Sequence, residues 1–303
     1  MPNAPFIVLF CAVTNKSQGI AQETGRISDQ TFKDAIAATE QGLVDVVRRE
    51  VRQNPNITAV GSCCLVALVW NGALYVANLG DSRAVIGRLD DVSNRIVAEQ
   101  LTKDDNLRDQ SIREALMREH SEEQDLVVEV NGAYRLKGKL QLSKAIGDAY
   151  LKFPEYYRTP GNPRYHLREP VRRAVLSADP TVVTRVLQPH HRFLICASDG
   201  LWDHISSERA VEIVHKHPQE GIARRLLKAA IKMACRKSKE RYTYDQIKAF
   251  GSNQSRRDIH DDITIVVIYF DHDRGYDANV PGLSIRGFRN SHLPPRFNLQ
   301  GVE

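Results

Sequence analysis

Phe193-Leu194-Ile195-Cys196-Ala197-Ser198-Asp199-Gly200-Leu201-Trp202-Asp203 is the stretch on which the fold turns. The apolar run reads as a strand buried on both faces, and Ser198-Asp199-Gly200 stops it. A carboxylate at a strand tip, beside a glycine that lets ligand and backbone approach closely, suits a hard divalent cation near phosphate. Three other acidic turns border apolar runs: Gly80-Asp81-Ser82-Arg83, Ala145-Ile146-Gly147-Asp148 and His260-Asp261-Asp262-Ile263. Carboxylates gathered from such tips repel one another until a cation neutralises them, which points to metal-assisted phosphoryl chemistry.

Working outward, Ser28 is an N-cap for an amphipathic helix over 29–50, with Phe32, Ile36, Leu43 and Val46-Val47 at helical spacing. An apolar run over 63–70, the Asn71-Gly72 turn and a return strand over 74–77 read as a hairpin, followed by a short strand over 84–86. Residues 105–120 predict a polar, solvated helix, and 126–136 a second hairpin around Asn131-Gly132. A strand is expected over 140–146. Residues 152–173 hold Pro154, Pro160, Pro163 and Pro170 and read as a long surface loop. Strands over 181–186 and 192–197, helices over 206–215 and 219–237, and a fully buried strand over 263–270 complete the pattern. Hairpin-linked strands with long intervening helices predict an α+β fold of antiparallel sheets covered by helices, not a doubly wound parallel sheet.

Composition sets the class. Hydrophobic residues are 42% and charged residues 26% of 303, the balance of a soluble globular protein. The net charge of +5 is modest and the signs alternate, so no nucleic-acid partner is expected. Five cysteines show no Cys-x-x-Cys spacing, and Cys63, Cys64 and Cys196 fall in apolar runs as small hydrophobes, which fits a reduced intracellular compartment. The apolar stretch 6–13 is too short to cross a bilayer and lacks a preceding basic residue, so a buried strand or irregular start is expected there, not a signal peptide. The histidines, His190-His191, His215 and His217 included, lack ligand spacing and read as surface residues.

Each acid also has a plain structural reading. Asp199 alone could cap the helix before Trp202, Asp81 could be a turn residue paired with Arg83, and Asp261-Asp262 could be solvated loop charge. The Arg172-Arg173, Arg224-Arg225 and Arg256-Arg257 pairs read as solvated faces, with attraction to substrate phosphate as the alternative.

Taken together, Gly80-Asp81-Ser82-Arg83, Leu142-Ser143-Lys144-Ala145-Ile146-Gly147-Asp148, Ser198-Asp199-Gly200-Leu201-Trp202-Asp203 and Asp261-Asp262-Ile263-Thr264 resemble, in order and context, the protein phosphatase 2C (metal-dependent PPM) family. Val60-Gly61-Ser62-Cys63-Cys64-Leu65-Val66 and the 145–152 run look most like its plant clade D. The similarity runs from about Ser28 to Asp271. It implies an α-β-β-α sandwich of two antiparallel sheets flanked by helices, with a divergent segment at 1–27, a catalytic domain at 28–271 and a disordered tail at 272–303. It also implies a protein serine/threonine phosphatase in which two Mg²⁺ or Mn²⁺ ions activate a water against phosphoserine or phosphothreonine. Carried over by position, Asp199 and Asp261 are catalytic metal ligands and Asp81 serves a weaker third ion, while Ser143 and Gly147-Asp148 form a nearby structural turn. Phosphorylated proteins are the implied substrates, for a monomer in the cytoplasm, the nucleus or the plasma-membrane periphery. Association with plasma-membrane proteins is implied by the clade D likeness.

The resemblance has a gap. No Asp-Gly-His-Gly-Gly occurs in the chain, nor an Arg with a downstream Glu-Asp pair ahead of the first helix. Relatives draw a metal-bridging aspartate from the first and a phosphate-binding arginine from the second. The expectation is therefore an N-terminally incomplete family member, with a catalytically impaired phosphoprotein binder as the alternative to an active enzyme.

Overall fold

The computed structural model describes residues 27–238, 242–250, 256 and 259–270. The expectations for 6–13, for nearly all of 1–27 and for a tail at 272–303 lie outside these residues.

In chain order the elements are α1 (Asp29–Glu50), β1 (Gly61–Ser62), β2 (Cys64–Trp70), β3 (Ala73–Leu79), β4 (Arg83–Leu89) and β5 (Ile96–Gln100). Then come α2 (Gln110–Glu119), β6 (Val127–Val130), β7 (Ala133–Leu136), β8 (Ile146–Gly147), β9 (Thr181–Val186) and β10 (His191–Ala197). They are followed by α3 (Asp199–Trp202), α4 (Ser207–Lys216), α5 (Ile222–Lys237), α6 (Tyr244–Lys248) and β11 (Ile265–Tyr269). The strands form a four-stranded sheet, β11-β10-β4-β5, a three-stranded sheet, β2-β3-β9, and two small pairs, β1-β8 and β6-β7. All strand pairings are antiparallel.

Alternation along each strand builds the layers. Leu194 and Cys196 of β10, with Ala84 and Ile86 of β4, face Leu65, Leu74 and Val76 of the other sheet in one buried cluster. Their neighbours Phe193, Ile195, Ala197 and Val85 point the opposite way, onto Val211 and Val214 of α4 and Leu226 and Ala230 of α5. Cys64, Val66, Ala77 and Leu79 line the far side of the three-stranded sheet, under Phe32 and Ile36 of α1. The result is the expected α-β-β-α sandwich. It also explains why β10 is apolar throughout: both its faces are covered, and burying each large side chain contributes roughly 1.5–3 kcal/mol.

The hairpins lie where the turn residues place them. Asn71 and Gly72 take φ 48° and 73°, and Asn131 and Gly132 take φ 53° and 76°, the left-handed pairs that match strand twist. Five expectations need correction. The helix read at 105–120 starts only at Gln110, capped by the Asp109 carboxylate on the Ser111 N–H at 2.8 Å, so 105–109 is a loop. The strand read at 140–146 is reduced to Ile146–Gly147, because Leu140, Leu142 and Lys144 bridge three different segments in turn. β11 is half-buried, not fully buried, since it lies at the edge of its sheet. The proline-bearing loop is anchored by Leu167 and Val171, which are buried with Leu107, Leu116 and Leu136. His191, read as a surface residue, is also buried, its Nδ1 accepting the Gln188 N–H at 3.0 Å.

Candidate functional site

Strand register gathers the acidic turns. Ala197, the last residue of β10, pairs with Arg83 at the start of β4 and with Ile265 at the start of β11. Asp199 lies two residues beyond Ala197, Asp81 two before Arg83, and Asp261 four before Ile265. All three therefore emerge at one end of the four-stranded sheet.

Ser198 ties two of these turns together. Its hydroxyl donates to the Asp262 carbonyl at 3.0 Å and accepts the Thr264 N–H at 3.0 Å, and its own N–H reaches the Thr264 carbonyl at 3.1 Å. Gly200 is needed for this approach, because a Cβ there would overlap the Asp262 carbonyl oxygen. Asp199 opens α3, where Trp202 donates its indole N–H to the Ala197 carbonyl at 2.9 Å. The Arg83 guanidinium lies over the Trp202 ring, 5.3 Å from its centroid.

The electrostatics follow from this crowding. Burial raises the Asp199 carboxyl to about 7, with further upward pressure from Asp81, Asp261 and Asp203, against the Gly200 N–H. Burial likewise raises Asp81, against hydrogen bonds from Asn106 and Cys63. The Asn106 amide donates to one Asp81 oxygen at 2.7 Å and the Cys63 thiol to the other at 3.4 Å. Cys63 is thus more than a core hydrophobe. The alternative reading of Asp81, a turn residue paired with Arg83, does not hold, because Arg83 grips both oxygens of Asp104, at 3.1 and 2.7 Å. Arg108 reaches Asp203 at 2.9 Å. Asp81, Arg83, Asn106, Arg108, Asp199 and Asp203 line a cleft of about 310 Å³.

Asp148 belongs to a separate cluster. Glu40 of α1 accepts the Gly147 N–H at 2.8 Å and Lys152 at 2.7 Å, and Lys152 also caps the Ala145 carbonyl at 2.8 Å. This buried knot fastens α1 to β8, the structural part expected of Gly147-Asp148. Ser143 bonds the Asp105 carbonyl at 3.2 Å, in the loop that carries Asn106.

Sequence reading missed Asn106, Arg108 and Asp203. Asn106 and Arg108 were hidden inside a predicted helix; the Asp109 cap, placed just ahead of Gln110, is the signal that would have freed them.

The donors suit a hard divalent cation in kind: they are carboxylate oxygens, and the like-charge crowding at Asp199 is what such an ion relieves. They form part of a cage only. Among the described residues, no group of three or more His, Cys, Asp or Glu side chains converges closely enough to hold a metal ion.

A helix-covered two-sheet sandwich with acidic turns at one end defines a class of fold suited to hard cations and phosphate. The chain belongs to the protein phosphatase 2C family, a metal-dependent serine/threonine phosphatase family whose model matches residues 13–239. It is 48% identical over 286 residues to "Probable protein phosphatase 2C 43" of Oryza sativa subsp. japonica, covering 93% of this chain and 73% of the relative. It is 46% identical to "Probable protein phosphatase 2C 68" of Arabidopsis thaliana, covering 92% and 72%. Among solved structures it is similar in fold to a serine-threonine phosphatase 2C from Toxoplasma gondii, with a TM-score of 0.57, 23% identity, and 86% of this chain and 77% of that one covered. No helix among the described residues is long and apolar enough to cross a membrane.

Proposed function

We propose that the protein hydrolyses phosphoserine and phosphothreonine in phosphoproteins, with Asp199 and Asp261 as the principal metal-binding carboxylates and Asp81 serving a weaker ion. The supporting observation is the charge conflict at Asp199, a partly buried acid whose carboxyl is raised by burial and by the neighbouring Asp81, Asp261 and Asp203 carboxylates. Mg²⁺ or Mn²⁺ bound there supplies the positive charge and the lowered water pKa that phosphate-ester hydrolysis requires. The chain's own groups do the rest. Ser198 and Gly200 fix the spacing between the Asp199 and Asp261 turns, Asn106 and Cys63 orient Asp81, and Arg108 neutralises Asp203 at the rim of the cleft.

A phosphothreonine peptide with Mn²⁺ tests the proposal. Metal-stimulated phosphate release is expected, and Asp199→Ala should abolish it. Retained metal-dependent hydrolysis in that variant would refute the assignment.

A second reading has its own observation. Because no three ligating side chains converge among the described residues, the protein could engage phosphoproteins without turnover. Phosphopeptide binding without phosphate release in the same assay selects it. The clade D likeness adds plasma-membrane proteins as candidate partners and their cytoplasmic side as a candidate location.

A further inference from the structure

α5 presents Arg224, Arg225, Lys228, Lys232, Arg236 and Lys237 to solvent and carries no acidic residue. Among the described residues, none of the six pairs with a carboxylate. Lys228 rests over the Tyr244 ring at 5.9 Å, Arg236 lies 3.9 Å from the Met233 sulfur, and Lys237 donates to the Asp203 carbonyl at 2.9 Å. That is unusual here, because neighbouring α4 neutralises its own cations: Arg209 and Lys216 both bind Glu212.

Helical spacing puts Arg225, Lys228, Lys232 and Arg236 within an arc of about 80°. They form one stripe about 16 Å long. Asp245, the one carboxylate among the described residues that line the cleft beside Lys232 and Arg236, pairs with neither. The stripe ends at the carboxylate cleft, since Lys237 follows Arg236 and bonds the backbone of Asp203, which lines that cleft.

We propose that this stripe is a docking track for an acidic stretch of the phosphoprotein substrate, a proposal that rests on the phosphatase reading of the carboxylate end. The length matches about five residues of extended chain at 3.3 Å each. The favoured acids would therefore lie some residues away from the phosphorylated one, not beside it. A membrane surface fits less well. The apolar side of α5 is spent on the core through Ile222, Leu226, Ala230 and Ile231, and no large exposed hydrophobic side chain sits on this helix to insert into lipid.

The test compares two labelled peptides built around a non-hydrolysable phosphothreonine analogue, one continuing into five glutamates and the other into five glutamines. Fluorescence anisotropy with the full chain at low salt should show the glutamate peptide binding roughly tenfold tighter, an advantage that added salt erodes. The charge-reversed variant Arg225→Glu/Lys228→Glu/Lys232→Glu/Arg236→Glu should lose that advantage and keep the weaker affinity for the glutamine peptide. Should it fail to fold by circular dichroism, Lys228→Gln/Lys232→Gln must show a partial loss. Equal affinity of the wild type for both peptides overturns the track, as does a charge-reversed variant that keeps the preference. Loss of binding to phosphatidylserine vesicles with no peptide preference overturns it in favour of a membrane. Binding is read without turnover, so an inactive protein that still selects glutamate sinks only the hydrolase reading, while an active protein indifferent to glutamate sinks only the track.

Discussion

Asp148 stands in the left-handed backbone region at φ 50°, with one carboxylate oxygen buried and without a hydrogen-bond partner. Burial raises its carboxyl to about 7; Lys152 opposes the rise and Glu40 adds to it. The sign follows from proton uptake. Between about pH 4 and 7 the folded form holds a proton that the unfolded form has released, so stability falls as pH rises through that window and levels off above it. Asp148→Asn removes the charge and should flatten this dependence, raising stability at pH 8 by about 1–2 kcal/mol with little change near pH 4. Thermal melts across the window check it; an equally steep profile in the variant would count against a buried, proton-holding acid. At this scale Asp81, Asp199 and Asp261 were legible, because an acid at the end of an apolar run needs only local pattern. The Asn106 and Cys63 contacts to Asp81 were not, since the first depends on how the loop before α2 folds back across 25 residues of chain and the second on how the start of β2 meets the turn after β3, 18 residues on.

Between elements, a tight constraint lies where β10 pairs with β4. Phe193 pairs with Gly87, and its ring covers the position where a side chain on Gly87 would stand. The glycine serves as the floor for an aromatic ring that packs outward with Ile195 and Val214. Gly87→Val should cost roughly 1–3 kcal/mol by overpacking, read as a lower urea midpoint with an unchanged slope. A neutral result would mean that the ring can swing clear. β10 was readable because burial on two faces leaves an uninterrupted apolar run. β8 was misjudged for a related reason: Leu140 and Ala145 are apolar because they pack into the lobe beneath α2, and periodicity does not distinguish that from pairing in a ladder.

For the molecule as a whole, the layer order was legible from hairpins and helix stripes, and the gathering of acids at one end required only the register of three strands. What sequence left open was closure: which turns touch, and whether enough donors meet. The two tryptophans occupy opposite poles of this arrangement. Trp202 sits three residues after Asp199 beneath Arg83, while Trp70 ends β2, a seven-residue strand that begins beside Cys63 at the carboxylate end and runs about 20 Å away from it. Nature has in effect fitted the fold with an optical gauge and an internal standard. Titrating Mg²⁺ should alter emission from the first indole alone, so Trp202→Phe should silence the response and Trp70→Phe leave it intact. A signal that follows Trp70 instead would mean that the ion settles at the wrong pole.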